Sequence, residues 1–315
     1  MDAEDYPTTA LEFQARFATE AACQAYLMQV RWPEGFVCPK CSGGKSWVNG
    51  RHLAVCAACG HQTSLTAGTV LHRTRKPLRM WFEAMGRVCT PRTGGSAKGL
   101  QRLLELGTYR TAWTWLHKLR RAMVRAGRES LQGAVEVDDG YVGGEEAGVR
   151  GRKTLKKAHI LAAIEVPDAS RRVAGRVRIG VVEDFTAASC LKFVQENVLG
   201  GSRVITDEWQ GFASLSRRGY AHEVRRADED PLQHVHWQIS LLKRRLLGTH
   251  HGGVRPWHLP EYLEEYCFRH NRRKSTHVGK LFYRMLQGAS VTAPATYRDI
   301  VGEPDSPRPT TGRST

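Results

Sequence analysis

Residues 134–138 read Ala-Val-Glu-Val-Asp, and this stretch decides how the rest of the chain is parsed. Valines alternate with acids, the period-2 pattern of a strand, and the run ends on a carboxylate. Before it the apolar spacing is helical, and after it strands take over. His159 to Val166 is a nearly continuous apolar run, as in a strand covered on both faces. Val177, Ile179 and Val181 alternate with Arg176, Arg178 and Gly180, the pattern of a half-buried strand. Thr186 is placed to cap a helix holding Leu191, Val194 and Val198. Arg203-Val204-Ile205-Thr206 is a fourth strand, ending at Asp207. Helices are expected near 235–247 and from about Pro260, where Leu259, Tyr262, Leu263 and Tyr266 recur at helical spacing. Strands followed by mixed helices indicate an α/β domain.

The chain has 315 residues, room for two or three domains. No apolar run approaches the roughly 20 residues that span a bilayer. The N-terminus, MDAEDYPTTA, is acidic and lacks the apolar segment of a signal peptide, so the expected compartment is the cytoplasm, or the nucleoid within it. There are 47 Lys and Arg against 31 Asp and Glu, a net charge of +16. Such an excess repels itself in the compact state and implies an anionic partner, most often nucleic acid.

Ahead of the strands, residues 9–32 read as helical, with Ala22, Cys23, Tyr26, Leu27 and Val30 on one face and Trp32-Pro33-Glu34-Gly35 as the stop. A helix beginning at Pro77 should bury Trp81, Phe82 and Met85. Two helical stretches follow, one with Leu100, Leu103 and Leu104 and one with Ala112, Trp115, Leu116 and Leu119, joined by Leu106-Gly107-Thr108. That is the spacing of a helix-turn-helix. The second stretch carries Arg110, His117, Lys118, Arg120 and Arg121 away from its apolar face, as DNA-contacting side chains would be.

Four of the eight cysteines form two tight pairs, Cys38-x2-Cys41 and Cys56-x2-Cys59, separated by 14 residues. Two such knuckles offer four thiolates to a tetrahedral Zn²⁺, and four Cys ligands leave no open position, so the zinc is expected to be structural. The intervening length suits a zinc ribbon, with Ser46-Trp47-Val48 and His52-Leu53-Ala54-Val55 as hairpin strands. Cys23, Cys89, Cys190 and Cys267 are scattered and read as small buried hydrophobes.

Asp138 and Asp207 both close strands, where ligands of α/β sheets gather. Two carboxylates meeting there repel unless cations sit between them, a setting for Mg²⁺ or Mn²⁺. Two such ions can activate a nucleophile and stabilise a leaving 3′-oxygen in phosphodiester chemistry.

The segments VEVDDGYVGG and VITDEWQGF resemble the first two catalytic strands of bacterial insertion-sequence transposases of the zinc-ribbon, DDE type. SLLKRRLLGTHHG with HLPEYLEEYCFRHNRRK resembles their third catalytic helix and the region after it. RWPEGFVCPKC and CAACGHQTSLTAGTVLHRTRKPLRMWF resemble their zinc ribbon, and the likeness covers about residues 10–290. It implies an RNase H-like core that cuts and joins DNA at transposon ends using divalent metal. Asp138 matches the first acid and Asp207 the second. Ser240-Leu241-Leu242-Lys243 sets the register of the third motif, and His236 stands where most relatives have Glu. The pattern is thus similar to an Asp-Asp-His-Lys branch, with Lys243 seven residues after His236 on the same helix face. A neutral imidazole suits Mn²⁺ better than Mg²⁺. Asp139 stands where relatives usually have Glu, and Gly140 where they often have Thr. His234 points to a different helix face, and Asp228-Glu229-Asp230 before Pro231 reads as a surface loop.

The expected organisation is multidomain α/β: an N-terminal helical segment (1–35), the zinc ribbon (36–75), the helix-turn-helix-like region (76–130), an RNase H-like core (131–290) and a mostly disordered tail (291–315). Arg110, Lys118, Arg120, Arg121, Arg244, Arg272 and Arg273 are the expected DNA contacts, within a basic C-terminal helix from Arg269 to Lys274 in the case of the last two. The expected activity is binding of terminal inverted repeats with metal-dependent strand cleavage and transfer, by a homodimer or larger assembly on double-stranded DNA. The alternatives are a zinc-ribbon DNA-binding regulator or inactive transposase, and a metal-dependent nuclease without strand transfer.

Overall fold

The N-terminal stretch expected as one helix folds as two, α1 (Ala10–Arg16) and α2 (Glu20–Arg31). The break follows from Thr19, whose side chain accepts the Ala22 N–H and so begins a new helix. The computed structural model describes residues 4–90, 95–124, 127–144, 157–167, 175–226, 228, 232–250 and 254–302. Among them no helix is long and apolar enough to cross a membrane.

A small antiparallel sheet follows, β1 (Ser46–Val48), β2 (Leu53–Cys56) and β3 (Gln62–Ser64), in the order β1-β2-β3. Its core is Phe36, Cys38, Ala54 and Cys56 with Trp32 against them. Then come α3 (Leu78–Cys89), α4 (Ala97–Leu103) and α5 (Tyr109–Ala122), the last two capped by Ser96 and Thr108.

The second part is a five-stranded sheet of β4 (Ala134–Val142), β5 (Ala158–Glu165), β6 (Val177–Val182), β7 (Arg203–Thr206) and β8 (Ala221–Val224), with α6 (Ala187–Asn197) before β7. The order is β6-β5-β4-β7-β8. β5 runs antiparallel to its neighbours β4 and β6, whereas β7 and β8 run parallel to β4. The chain closes with α7 (Gln233–His250), α8 (Leu259–Asn271), α9 (Val278–Val291) and α10 (Tyr297–Val301). Strand alternation sorts the core. Val135, Val137, Leu161 and Ala163 face α6, while Ile160, Ala162 and Ile164 face α7 and α8. The sheet is therefore covered on both faces, as the apolar run in β5 predicts.

Several expectations change. β4 does not end at Asp138 but runs on to Val142, because residues 138–142 keep pairing with β5. β6 is not simply half-buried: Arg178 is 7% exposed, its guanidinium donating to the Glu129 and Val177 carbonyls, and Val181 is the exposed residue. β8 was not foreseen. α9, inside the range expected to close the catalytic core, packs on α2, α3 and α5, adding Phe282, Met285 and Leu286 to the N-terminal helical core. The approach is close: a Cβ on Gly288 would stand 1.8 Å from the Ala122 carbonyl oxygen. Within the tail expected to be disordered, Thr296 and Asp299 form a reciprocal capping box that starts α10. Residues 303–315, like Glu229 and Asp230, lie outside the described residues.

The helix-turn-helix reading changes most. α5 buries Trp115, stacked on Trp81 with centroids 3.6 Å apart, and also His117 and Arg120. Leu103 of α4, by contrast, is exposed. α5 is thus a core helix, in contact with α4, α8, α9 and α10. Arg120 donates to Glu265 Oε2 at 2.7 Å, and Glu265 also accepts from Arg245 at 2.9 Å and Arg269 at 3.0 Å. That buried ion cluster joins α5, α7 and α8.

Candidate active site

β4 and β7 run parallel with Glu136 level with Ile205. Two residues further on, the same register brings Asp138 level with Asp207. The carboxylates of Asp138, Asp139 and Asp207 each place an oxygen within 4.8 Å of the others. Asp207 also accepts the Trp209 N–H at 3.0 Å, and Trp209 Nε1 donates to the Phe185 carbonyl, which fixes the turn after β7. His236 reaches the group through Asp138, its Nε2 2.8 Å from Oδ2. Asp138 is 7% exposed. Burial, reinforced by Asp139 and Asp207 and opposed by the Asp139 N–H and His236, pushes its carboxyl up to about 6.

α7 is held against β4 by a carboxylate that sequence reading did not single out. Glu136, on the α7 face of β4 and 1% exposed, accepts the Val235 N–H and His234 Nδ1, each at 2.9 Å. A buried anion at a helix N-terminus satisfies an otherwise orphan donor and meets the positive end of the helix dipole. It seats the first turn of α7, and with it His236. Gly140 faces α7 at Ile239, where a Cβ would stand 3.4 Å from the isoleucine side chain, close to ordinary contact. His236, Ser240, Lys243 and Leu247 follow one another at helical spacing and are all exposed, and Arg244 is exposed beside Lys243. Asp139 is the acid the sequence reading left out of the site. Its signal was the paired Asp138-Asp139.

The expected DNA contacts divide. Arg110 is exposed, its guanidinium over the Tyr297 ring, and Lys118 is half-buried. Arg120 cannot serve as a phosphate contact, because it is buried in the Glu265 cluster. Arg121 lies 3.6 Å from Glu261 and donates to the Asp299 carbonyl. The basic C-terminal run is partly internal as well. Arg269 belongs to the Glu265 cluster, and Asn271 pairs with both the N–H and the carbonyl of Val177 on edge strand β6. Arg272 lies over Phe268, and Arg273 donates to the His270 carbonyl at 2.7 Å.

In the N-terminal three-stranded sheet and its flanking turns all four paired cysteines offer Sγ atoms within 4.8 Å of one another. Zn–S bonds of ~2.3 Å place tetrahedral thiolates about 3.8 Å apart. The Cys38–Cys59 and Cys41–Cys56 pairs stand at 3.7 and 3.5 Å, so the donor set fits zinc. Burial opposes ionisation of Cys38, but the Cys41 and Lys40 N–H groups and the neighbouring thiols outweigh it and bring it down to about 6. Gly43 is confined here, since a Cβ would stand 3.3 Å from the Cys41 and Cys56 sulfurs.

Residues 130–271 match the ISXO2-like transposase domain, and residues 18–62 match the transposase zinc-ribbon domain. An uncharacterized protein in transposable element ISH50 of Halobacterium salinarum is 31% identical over 143 residues, covering 44% of this chain and 46% of that one. The chain spans about half the length of that curated relative. Both domain matches are to transposases: the chain is similar to an ISXO2-like transposase domain preceded by a transposase zinc ribbon.

Proposed function

We propose that the chain is a DNA transposase that binds the terminal inverted repeats of an insertion sequence, cleaves at their ends and transfers the freed strand to target DNA. The observation that carries this is the convergence of Asp138, Asp139 and Asp207 within 4.8 Å, with His236 2.8 Å from Asp138, inside the stretch that matches a transposase domain. Three carboxylates in one partly buried spot repel, and a divalent cation is the partner that relieves them. A mixed sheet with acids level with one another on the neighbouring parallel strands β4 and β7 supports the RNase H-like reading.

Asp138 and Asp207 are the metal-holding acids in this reading, and His236 is the third ligand. Divalent metal bound there supplies Lewis-acid stabilisation of the reacting phosphate and a nucleophile at neutral pH. Lys243 and Arg244, exposed beyond His236 along α7, hold the phosphodiester backbone. Glu136 keeps α7 seated so that His236 stays level with Asp138. The cysteine cluster holds a structural Zn²⁺, and the ribbon, with Arg110 and Lys118, contributes to end recognition. A dimer or larger assembly brings two DNA ends together at the nucleoid. Because His236 replaces a carboxylate, Mn²⁺ should activate more strongly than Mg²⁺ at limiting concentration.

Paired end-bearing DNA, incubated with the protein and Mn²⁺, separates the readings. Cleavage followed by joining is the expected result. Cleavage without joining indicates a nuclease, and binding without either reaction indicates a regulator or an inactive copy.

A further inference from the structure

α5 carries a histidine that its surroundings leave without a hydrogen bond. His117 is fully buried, and neither ring nitrogen has a partner among the described residues. Buried imidazole nitrogens are ordinarily satisfied, so the pair demands an explanation. Glu261, in the first turn of α8, has a buried Oε2 that is equally without a partner among the described residues, while its Oε1 lies 3.6 Å from Arg121. His258, three residues before it at the end of the short turn Pro256–His258, is 7% exposed. One ligating atom from each of the three lies within 4.8 Å of the other two.

We propose that His117, His258 and Glu261 form a second transition-metal site, of the Zn²⁺ class, which clamps α5 to α8. Two imidazoles and one carboxylate are a donor set for such an ion, and hard cations such as Mg²⁺ disfavour it. Bonds of ~2.0–2.1 Å place tetrahedral donors about 3.4 Å apart, so the three groups need move inward by roughly an ångström or less. Burial lowers the affinity of both histidines for protons, with nearby arginines acting in the same direction, and the neutral ring is the form that ligates. The walls are closed by Trp113, with ring centroids 4.2 Å from His117 and 5.1 Å from His258, and by Tyr262 at 5.6 Å from His117. The ion would fasten the N-terminal helical core to the α8 layer of the sheet domain, beside the Glu265 cluster that joins the same elements. It uses none of the residues of the cysteine or aspartate clusters.

Metal content tests it. The full chain carrying Asp138→Asn, so that the aspartate cluster does not contribute, should retain two equivalents of zinc after gel filtration. His117→Phe, which fills the same space without the nitrogens, should retain one and lose part of its zinc-dependent gain in Tm. Should that variant fail to fold, Co²⁺ titration of the Asp138→Asn chain decides instead. A first equivalent should give the intense thiolate charge-transfer band of the cysteine site, and a second should add ligand-field bands alone. Saturation at one equivalent, or an unchanged zinc content with a higher Tm in His117→Phe, would overturn the proposal and leave His117 as an aromatic packing residue.

Discussion

Glu265 and Asp138 are both buried carboxylates, and their surroundings drive them in opposite directions. Burial opposes ionisation of Glu265, but Arg120, Arg269 and Arg245 outweigh it and hold the group far below the ordinary carboxylate range. Asp138 has two further carboxylates as neighbours and one histidine, and its carboxyl is pushed up to about 6. The contrast separates scaffold from site. A buried acid that the chain surrounds with guanidinium groups has its charge balanced internally. One that the chain surrounds with other acids leaves a deficit of positive charge, which a bound cation can fill.

The comparison can be broken most readily at its scaffold end. Glu265→Gln would leave three guanidinium groups in the interior without their anion, and should cost ~3–5 kcal/mol of stability, read by denaturant unfolding. A loss below about 1 kcal/mol, within the range of a surface ion pair, would mean that the cluster is not what joins α5, α7 and α8.

Asp138→Asn should act in the opposite sense. With a folded-state pKa above the ordinary 3.8, protonated Asp138 stabilises the metal-free fold at low pH, and that contribution is lost as pH rises through about 6. The variant should therefore match or exceed the metal-free wild type in Tm at pH 7. Saturating Mn²⁺ at about 100 times its Kd should add ~2.7 kcal/mol to the wild type and much less to the variant. The Mn²⁺ gain should shrink as pH falls through about 6, because protons compete for the same carboxylate. An Mn²⁺ response equal in both proteins would remove the aspartates from the metal site.

Glu136 lies between the two cases: it is buried, and it accepts hydrogen bonds from Val235 and His234 with one guanidinium, that of Arg225, 4.0 Å away. Glu136→Gln weakens the charge-assisted bond to the α7 N-terminus and should cost ~1–2 kcal/mol in unfolding experiments, with a fall in cleavage rate at unchanged DNA affinity. The smallest structural effect is expected at Lys243. Lys243→Gln should leave stability within about 0.5 kcal/mol, yet lower DNA affinity and reduce the slope of log affinity against log salt by about one.

These contrasts also mark what was legible in the sequence. The cysteine pairs were legible because metal spacing is local. So were the strands around Asp138 and Asp207, whose alternation is written over a few residues. The core face of β5 and the cap at Thr186 were visible for the same reason. The buried charges were not. Arg120 meets Glu265 across 145 positions, and Glu136 meets Val235 across 99. On a helix or strand taken alone each reads as a solvated residue, since the expense of burying a charge is offset only by partners that tertiary packing supplies. α9 was missed for a related reason: its apolar face completes a core begun some two hundred residues earlier, around Phe82.

The most direct test is cleavage and joining of paired end-bearing DNA by wild-type protein, Asp138→Asn and Asp207→Asn in Mn²⁺, with Tm and DNA affinity measured on the same samples. Wild-type activity, with a loss of ~10³-fold or more in both variants at unchanged DNA affinity and with the metal-free Tm undiminished, is the predicted result. Variants that cut and join DNA at near wild-type rates would contradict the assignment of the aspartate cluster as the catalytic metal site.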